Sequence, residues 1–340
     1  MSIYPLLPWT RAGLSALACL ATVACGGDDE GAAGAAAGGG AGAGGHHASG
    51  GSAGTGSGGA AGAAGGASGA SGASGAAGAP PSGLSVSLVE PVTATVGKST
   101  LGLRIVDGSG APVAGLASGI ALLPAMDMGM HAHGAAVPSD AVHETTTAGT
   151  YDTTLFFPMA SSGMGSWTLG VAVGGAAAAE LGVTVAEAAG TDTTHVPLSN
   201  ASDTVKSPMG LDKPRNWFLF RDVARSEGGG VTFGVFLATV QADAMLWPPV
   251  TVGLTLVDAS GAEQLVVSSV EVSGSADGVT WAPMPCDATA RCQAHFAGVS
   301  GGTSELRVKL SINGAPYTTD AAAPEPAGSN GYATFVVTPE

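Results

Sequence analysis

From residue 84 onward, Val, Leu, Ile and Thr alternate with small polar residues, and Gly, Pro, Asp or Ser turns recur every eight to twelve positions. Alternation of period two marks strands with one face in a core and one in water, and this turn spacing is that of a β-sandwich. The first half of this region predicts strands near residues 85–90, 99–107, 120–124, 142–147, 151–158, 166–173 and 180–186. Seven short strands in about 105 residues fit an immunoglobulin-like sandwich. Asp107-Gly108-Ser109-Gly110 reads as a hairpin turn, in which glycine supplies positive φ. No helix of ordinary length is visible beyond the N-terminal segment.

The second half repeats one element. The ten residues 102–111 (GLRIVDGSGA) return as 253–262 (GLTLVDASGA), identical at seven of the ten positions. Together with apolar strands expected at 217–220 and 231–240, the echo predicts a second β-sandwich over 191–340, after a first over 84–190. The fold class expected is therefore all-β: two sandwiches in tandem.

Before residue 84 the pattern is different. Arg11 precedes an apolar run at 12–24, 13 residues long. That is short of the ~20 needed to span a bilayer and suits a signal peptide over residues 1–24. Thr22-Val23-Ala24-Cys25 followed by Gly26-Gly27-Asp28-Asp29-Glu30 resembles a bacterial lipobox, with Thr22 where Leu is usual. The resemblance implies lipidation of Cys25 and a membrane partner through that anchor, in the cell envelope at the outer membrane or the periplasmic face. The alternative is an ordinary signal peptide cut nearby.

Residues 25–83 are almost all Gly, Ala and Ser. With no apolar face to offset ordering entropy, they predict a disordered tether. As a flexible coil the 58 residues after Cys25 reach about 40–45 Å. His46 and His47 within it read as a solvated pair, with metal binding as the weaker alternative.

Composition sharpens the division. The chain has 340 residues, 56 Gly, 11% charged residues and a formal net charge of −15. Asp28, Asp29 and Glu30 are the only acids before residue 84 and Arg11 the only base, so the folded part carries 23 acids and 10 bases. Such acidity offers no electrostatic footprint for nucleic acid. No nucleophile motif, phosphate loop, His-Glu-x-x-His or Cys-x-x-Cys is present, so the expectation is a protein that is not an enzyme. Cys286 and Cys292 read as a disulfide closing a short loop in an oxidising compartment, with a metal or redox site involving His295 and Met284 as the alternative.

The chemically informative stretch is 126–133. Met126, Met128, Met130, His131 and His133 place three of the nine Met and two of the seven His within eight residues. Thioethers are soft, neutral donors that select Cu(I), and imidazole suits both copper oxidation states. On one straight strand the Met and His sets would face opposite ways, so Gly129 and Gly134 predict a loop or bulge that turns them together. Met159 and Met164 flank a loop expected at the same end, and His143 is a weaker member. The competing reading makes these Met residues core fillers and the His residues solvated.

At these residues the chain resembles the YtkA-like (FixH-related) domain family. The matching pieces are Met126-Asp-Met-Gly-Met-His-Ala-His133, Gly149-Thr-Tyr151, Phe156-Phe-Pro-Met159 and Gly165-Ser-Trp167-Thr-Leu169, within residues 85–187. The resemblance implies an extracytoplasmic immunoglobulin-like domain associated with copper, held through Met126, Met128, Met130, His131, His133 and Met159. The function it implies is copper sequestration, or delivery to a partner protein. The insertion Ser161-Ser162-Gly163-Met164 and the whole of 191–340 depart from the family pattern. A structural or adhesive surface lipoprotein is the alternative function. Tyr151 and Trp167 are expected as core and edge anchors, and Phe156 and Phe157, on opposite faces, predict that one is partly exposed or covers the loop.

Overall fold

The computed structural model describes residues 83–129, 132–162, 165–206, 211–241, 246–258, 262–299, 302–324 and 329–340. The expected signal peptide, Cys25, the tether and the His46-His47 pair lie outside these residues.

The protein is all-β. In the first sandwich, β1 (Ser85–Leu88), β3 (Gly97–Val106), β7 (Thr150–Phe157) and β6 (Val142–Glu144) make one sheet in the order β1-β3-β7-β6. The facing sheet has the order β5-β4-β8-β9, from β4 (Ile120–Asp127), β5 (Ala132–Gly134), β8 (Ser166–Val173) and β9 (Ala176–Val183). A parallel pair, β2 (Ala94–Thr95) with β10 (Val185–Ala186), closes one end. Alternation decides what is buried: Leu101, Leu103 and Ile105 of β3 point inward, as do Tyr151 and Leu155 of β7 and Trp167, Leu169 and Val171 of β8. Trp167 packs edge-on against Phe157 at 5.0 Å.

In the second sandwich one sheet has the order β11-β12-β13-β18, from β11 (His195–Lys206), β12 (Asp212–Glu227), β13 (Gly230–Thr239) and β18 (Arg291–Ala297). The other has the order β17-β16-β19-β20, with β21 also paired to β19. Its strands are β16 (Val270–Ser275), β17 (Ala282–Pro283), β19 (Ser304–Ile312), β20 (Ala315–Tyr317) and β21 (Ala333–Val337). β14 (Thr255–Val257) and β15 (Glu263–Val266) form a separate hairpin. Trp217, Phe233, Val308 and Phe335 lie at the centre of this core.

The repeated decapeptide has a local cause. In both copies an aspartate closes a five-residue turn. The Asp107 N–H donates to the Ala111 carbonyl at 2.8 Å, and Asp107 Oδ1 accepts from the Ala111 N–H at 3.0 Å. Asp258 and Ala262 repeat both bonds at 2.8 and 3.0 Å. A third copy, Asp287 to Arg291, has the same pair at 2.9 and 3.0 Å, with Thr289 where Ser109 stands in the first. The Ser109 hydroxyl and N–H hold the Asp107 carboxyl below the usual carboxylate range.

The two sandwiches meet through a buried seam. Phe156 of β7 stacks on Phe236 of β13 at 4.5 Å and lies 5.4 Å from Phe220 of β12. Ala136, Ala238, Ala290 and Trp247 complete the cluster, and all three phenylalanines are fully buried. Neither Phe156 nor Phe157 is partly exposed, so that half of the expectation is corrected. Phe157 enters its own core and Phe156 enters the seam.

Alternating charges line the same junction. Asp222 is the extra residue of a bulge in β12, between Arg221 and Val223, which re-aims its side chain. Its carboxylate meets Lys98 Nζ at 2.7 Å and Arg291 Nε at 3.3 Å, and Arg291 also reaches Asp140 at 2.7 Å. The connector is tied down as well. The Thr193 N–H donates to the Val336 carbonyl at 2.8 Å, Asp192 pairs with Arg221, and the Thr338 hydroxyl donates to Asp192 at 2.9 Å. Gly97, at φ +88°, lets Thr194 approach so closely that a Cβ there would sit 2.8 Å from the Thr194 Cβ.

Candidate functional site

The Met/His stretch forms one end of the first sandwich. The strand expected to stop at residue 124 runs on to Asp127, because Pro124, which lacks an N–H, is accommodated in β4. Met126 is therefore a strand residue with an inward side chain, 1% exposed, and not part of a loop. The chain then turns through Gly129, at φ +80°, and the Asp127 carboxylate accepts the Gly129 N–H at 2.7 Å. It returns as β5.

This hairpin sets His133 directly opposite Met126. Paired residues on antiparallel strands project from the same face. Trp167 is opposite Met126 on the other side, and Val183 opposite Trp167, so His133, Met126, Trp167 and Val183 form one inward row across β5-β4-β8-β9. Met126 is enclosed further by Gly165, where an added Cβ would come within 3.0 Å of the Met126 Cε.

Met159 is at this end too. Its carbonyl accepts the Trp167 indole N–H at 3.1 Å, and its side chain, like that of Met128, packs against the first core. Thus the structure pairs Met126 with His133, sets Met128 in the turn of the same hairpin, and brings the Met159 backbone to Trp167 in the same row. His143 sits on β6 opposite Asp152, five residues back from the Phe157 end of β7, or roughly 16 Å along the strand. It belongs to another part of the sandwich. Met130, His131 and Met164 lie outside the described residues.

As a copper site the described donors fit in part. Met126 and His133 share one face, and Met128 follows in the same hairpin, as part of a Met/His site would. Met126, however, is sealed beneath Trp167 and Gly165 as a core thioether usually is, so its sulfur meets an incoming ion only if the hairpin opens. Among the described residues, no group of three or more His, Cys, Asp or Glu is placed to hold a metal ion.

The disulfide forms between Cys286 and Cys292, across the third Asp turn. Of its proposed metal companions, Met284 is buried in the core at 1% exposure. His295 projects to the opposite face from Cys292, with Nδ1 3.3 Å from the Thr232 hydroxyl.

Sequence reasoning missed one polar cluster. Arg215 of β12 is fully buried, and each of its three side-chain nitrogens donates: to Asp203 Oδ1 at 3.1 Å, the Val240 carbonyl at 2.9 Å and Gln264 Oε1 at 2.9 Å. Asp203 Oδ2 accepts from the Trp217 indole at 2.8 Å and the Tyr317 hydroxyl at 2.9 Å. Burial, and then the Asp203 charge, push the Tyr317 phenol far above its ordinary value. Each donor nitrogen and hydroxyl of the cluster has an acceptor, which makes it a strut of the second core. The only signal for it in the chain was a basic residue, Arg215, just ahead of the apolar run of β12.

No family model matches the chain, and no curated protein matches it. Among solved structures, the bacterial integrin-binding protein invasin matches at 14% identity over 68% of this chain and 37% of its own, with a TM-score of 0.21. The chain thus spans little more than a third of invasin. Two marsupial T cell receptor structures match at 10% and 9% identity, over 67% of this chain and 94% and 92% of theirs, each with a TM-score of 0.20.

Proposed function

We propose that this protein is an exported, lipid-anchored surface module that carries a stiff pair of β-sandwiches on a Gly/Ala/Ser tether and serves a structural or adhesive role without catalysis. The observation that carries this reading is the seam. Three buried phenylalanines, the Lys98–Asp222–Arg291–Asp140 chain and a hydrogen-bonded connector join the sandwiches. Tandem domains with no more than a linker between them reorient freely; a packed apolar junction with paired charges holds them as one body. A stiff body on a soft tether separates two tasks, reach and presentation. Cys25 at the head of that tether supplies the membrane partner.

The test has two parts. Spin labels on the outer faces of the two sandwiches are expected to give one narrow distance distribution, and a broad one would defeat the stiff-body reading. Metabolic lipid labelling is expected to mark the exported chain and to be lost in Cys25→Ser, with release of the sandwiches into the medium. An unlabelled wild-type chain would defeat the anchor.

One observation favours a second reading. The hairpin puts His133 on the same face as Met126, with Met128 in its turn. This supports copper binding by the first sandwich, for sequestration or delivery to a partner protein, as the resemblance to YtkA-like domains implies. Met130, His131 and Met164 belong to that proposal. Full-length Met128→Ala/His133→Ala is expected to lose competition against a Cu(I) chelator, and unchanged competition would remove copper from the account.

A further inference from the structure

The outer face of the second sandwich carries a cleft that neither reading above uses. It has a volume of about 830 Å³ and is lined from β16, β17, β19 and β20 and from the segments leading into β17 and β21. That volume lies within the ~300–1,000 Å³ of small-molecule sites.

Its walls alternate aromatic and polar groups. Trp281 and Tyr332 are set 5.9 Å apart at 48°. Arg307 and Lys309, two residues apart on β19, both project outward. Lys309 Nζ stands 3.9 Å from the Trp281 ring centre, and the Arg307 guanidinium 5.2 Å from that of Tyr332. Glu271 and Ser273 line the floor from β16, directly opposite Ser311 and Lys309.

The cleft is built to hold this shape. The loop before Trp281 is pinned by Asp277, which accepts the Thr280 N–H at 2.7 Å, the Val279 N–H at 2.8 Å and the Ser275 hydroxyl at 2.8 Å. The Thr280 and Val279 N–H groups, with that hydroxyl, hold the Asp277 carboxyl far below the usual carboxylate range. Gly278, at φ +75°, leaves room for Arg307, whose Nη1 lies where a Cβ would be. Arg307 is oriented from the other side by Glu305 at 2.8 Å. Among the described residues, no carboxylate lies within ion-pair distance of Lys309, so its ammonium retains donors for a ligand.

We propose that this cleft binds a segment of an uncharged polysaccharide, with the sugar rings against Trp281 and Tyr332 and their hydroxyls bridging Lys309, Ser273 and Glu271. A sugar ring presents an apolar C–H face and an edge of hydroxyls, each both donor and acceptor. The walls answer both: aromatic faces for the first, and closely mixed donors and acceptors for the second. Glu271 facing the same space as Lys309, and Glu305 paired with Arg307, offset the two cations and direct the site away from acidic chains. The inference rests on the surface-module reading and names what that module holds.

The full chain is titrated calorimetrically with gluco-, xylo- and manno-oligosaccharides, and with oligogalacturonate as the acidic comparison. At least one neutral series is expected to bind, with affinity falling about tenfold or more in Trp281→Ala, as loss of a stacking platform predicts. Lys309→Met is expected to weaken binding less, and Trp281→Phe to retain most of it. An unchanged thermal midpoint shows that Trp281→Ala still folds, and Tyr332→Ala provides an independent loss. Absence of heat with every neutral series up to about 5 mM, equal affinity in Trp281→Ala, or binding of oligogalacturonate alone would each overturn the proposal. Failure here is separable from failure of the surface module. Cells that export Trp281→Ala and still attach to their surface like wild type would remove the cleft and leave the module standing.

Discussion

Phe156 and Phe157 are neighbours on β7, face opposite ways and are both fully buried, but they answer to different parts of the molecule. Phe157 lies against Trp167 inside the first sandwich, while Phe156 lies on Phe236 of the second. Removing the first empties a core that one domain builds for itself. Removing the second takes away the agreement between two domains and leaves each core intact. Stability and stiffness are therefore carried by different faces of the same strand.

The comparison is tested most severely by Phe157→Ala. It is expected to lose about 3–5 kcal/mol, read by urea unfolding, with both sandwiches still unfolding in one transition because the seam is intact. Phe156→Ala is expected to remove a similar contact area but with another signature. Calorimetry should resolve two transitions where wild type gives one, and a single transition merely shifted downward would erase the distinction between core and seam. Arg291→Met strands Asp140 and leaves Asp222 with Lys98 alone. An effect of about 1–2 kcal/mol on the seam is expected, little changed by salt because Asp222 is mostly enclosed.

The smallest effect is a pH dependence. Burial beside Phe218 and Phe220 holds the His195 imidazole below its ordinary value of 6.5. The unfolded chain then takes up the proton first as pH falls. Stability from His195 is complete above its unfolded value and is lost as pH drops toward its folded one. The thermal midpoint of wild type should fall more than that of His195→Gln between about pH 7.5 and pH 5. Equal falls would mean that the imidazole is as well solvated in the fold as in the open chain.

The alternation of Leu101, Leu103 and Ile105, and the turns at Asp107 and Asp258, were legible because each is written in adjacent residues. The continuation of β4 through Met126 was not, because a proline inside a strand ordinarily argues for its end. The disulfide was readable from spacing. The seam was less so, although one trace existed: Val235-Phe236-Leu237-Ala238 breaks the alternation with four apolar residues in a row, as a strand covered on both faces does. The Trp281 cleft joins residues up to 61 positions apart, from Glu271 to Tyr332, and only strand pairing reveals that they meet. The Met/His cluster was visible as chemistry. Its division into a sealed Met126 and a more open His133 depended on the hairpin register, which composition does not carry.

The first strand has a mechanical consequence. β1 begins at Ser85, opposite Val106, whereas the seam lies near Lys98, about 26 Å along β3. A pull between Gly83 and the second sandwich therefore runs along the strands. The antiparallel bonds of β1, from Ser85 to Leu88, and the Val89 N–H to the Gly102 carbonyl at 2.8 Å, lie across that direction. They are sheared together instead of peeled one at a time, and this short first strand shares tension among all its bonds.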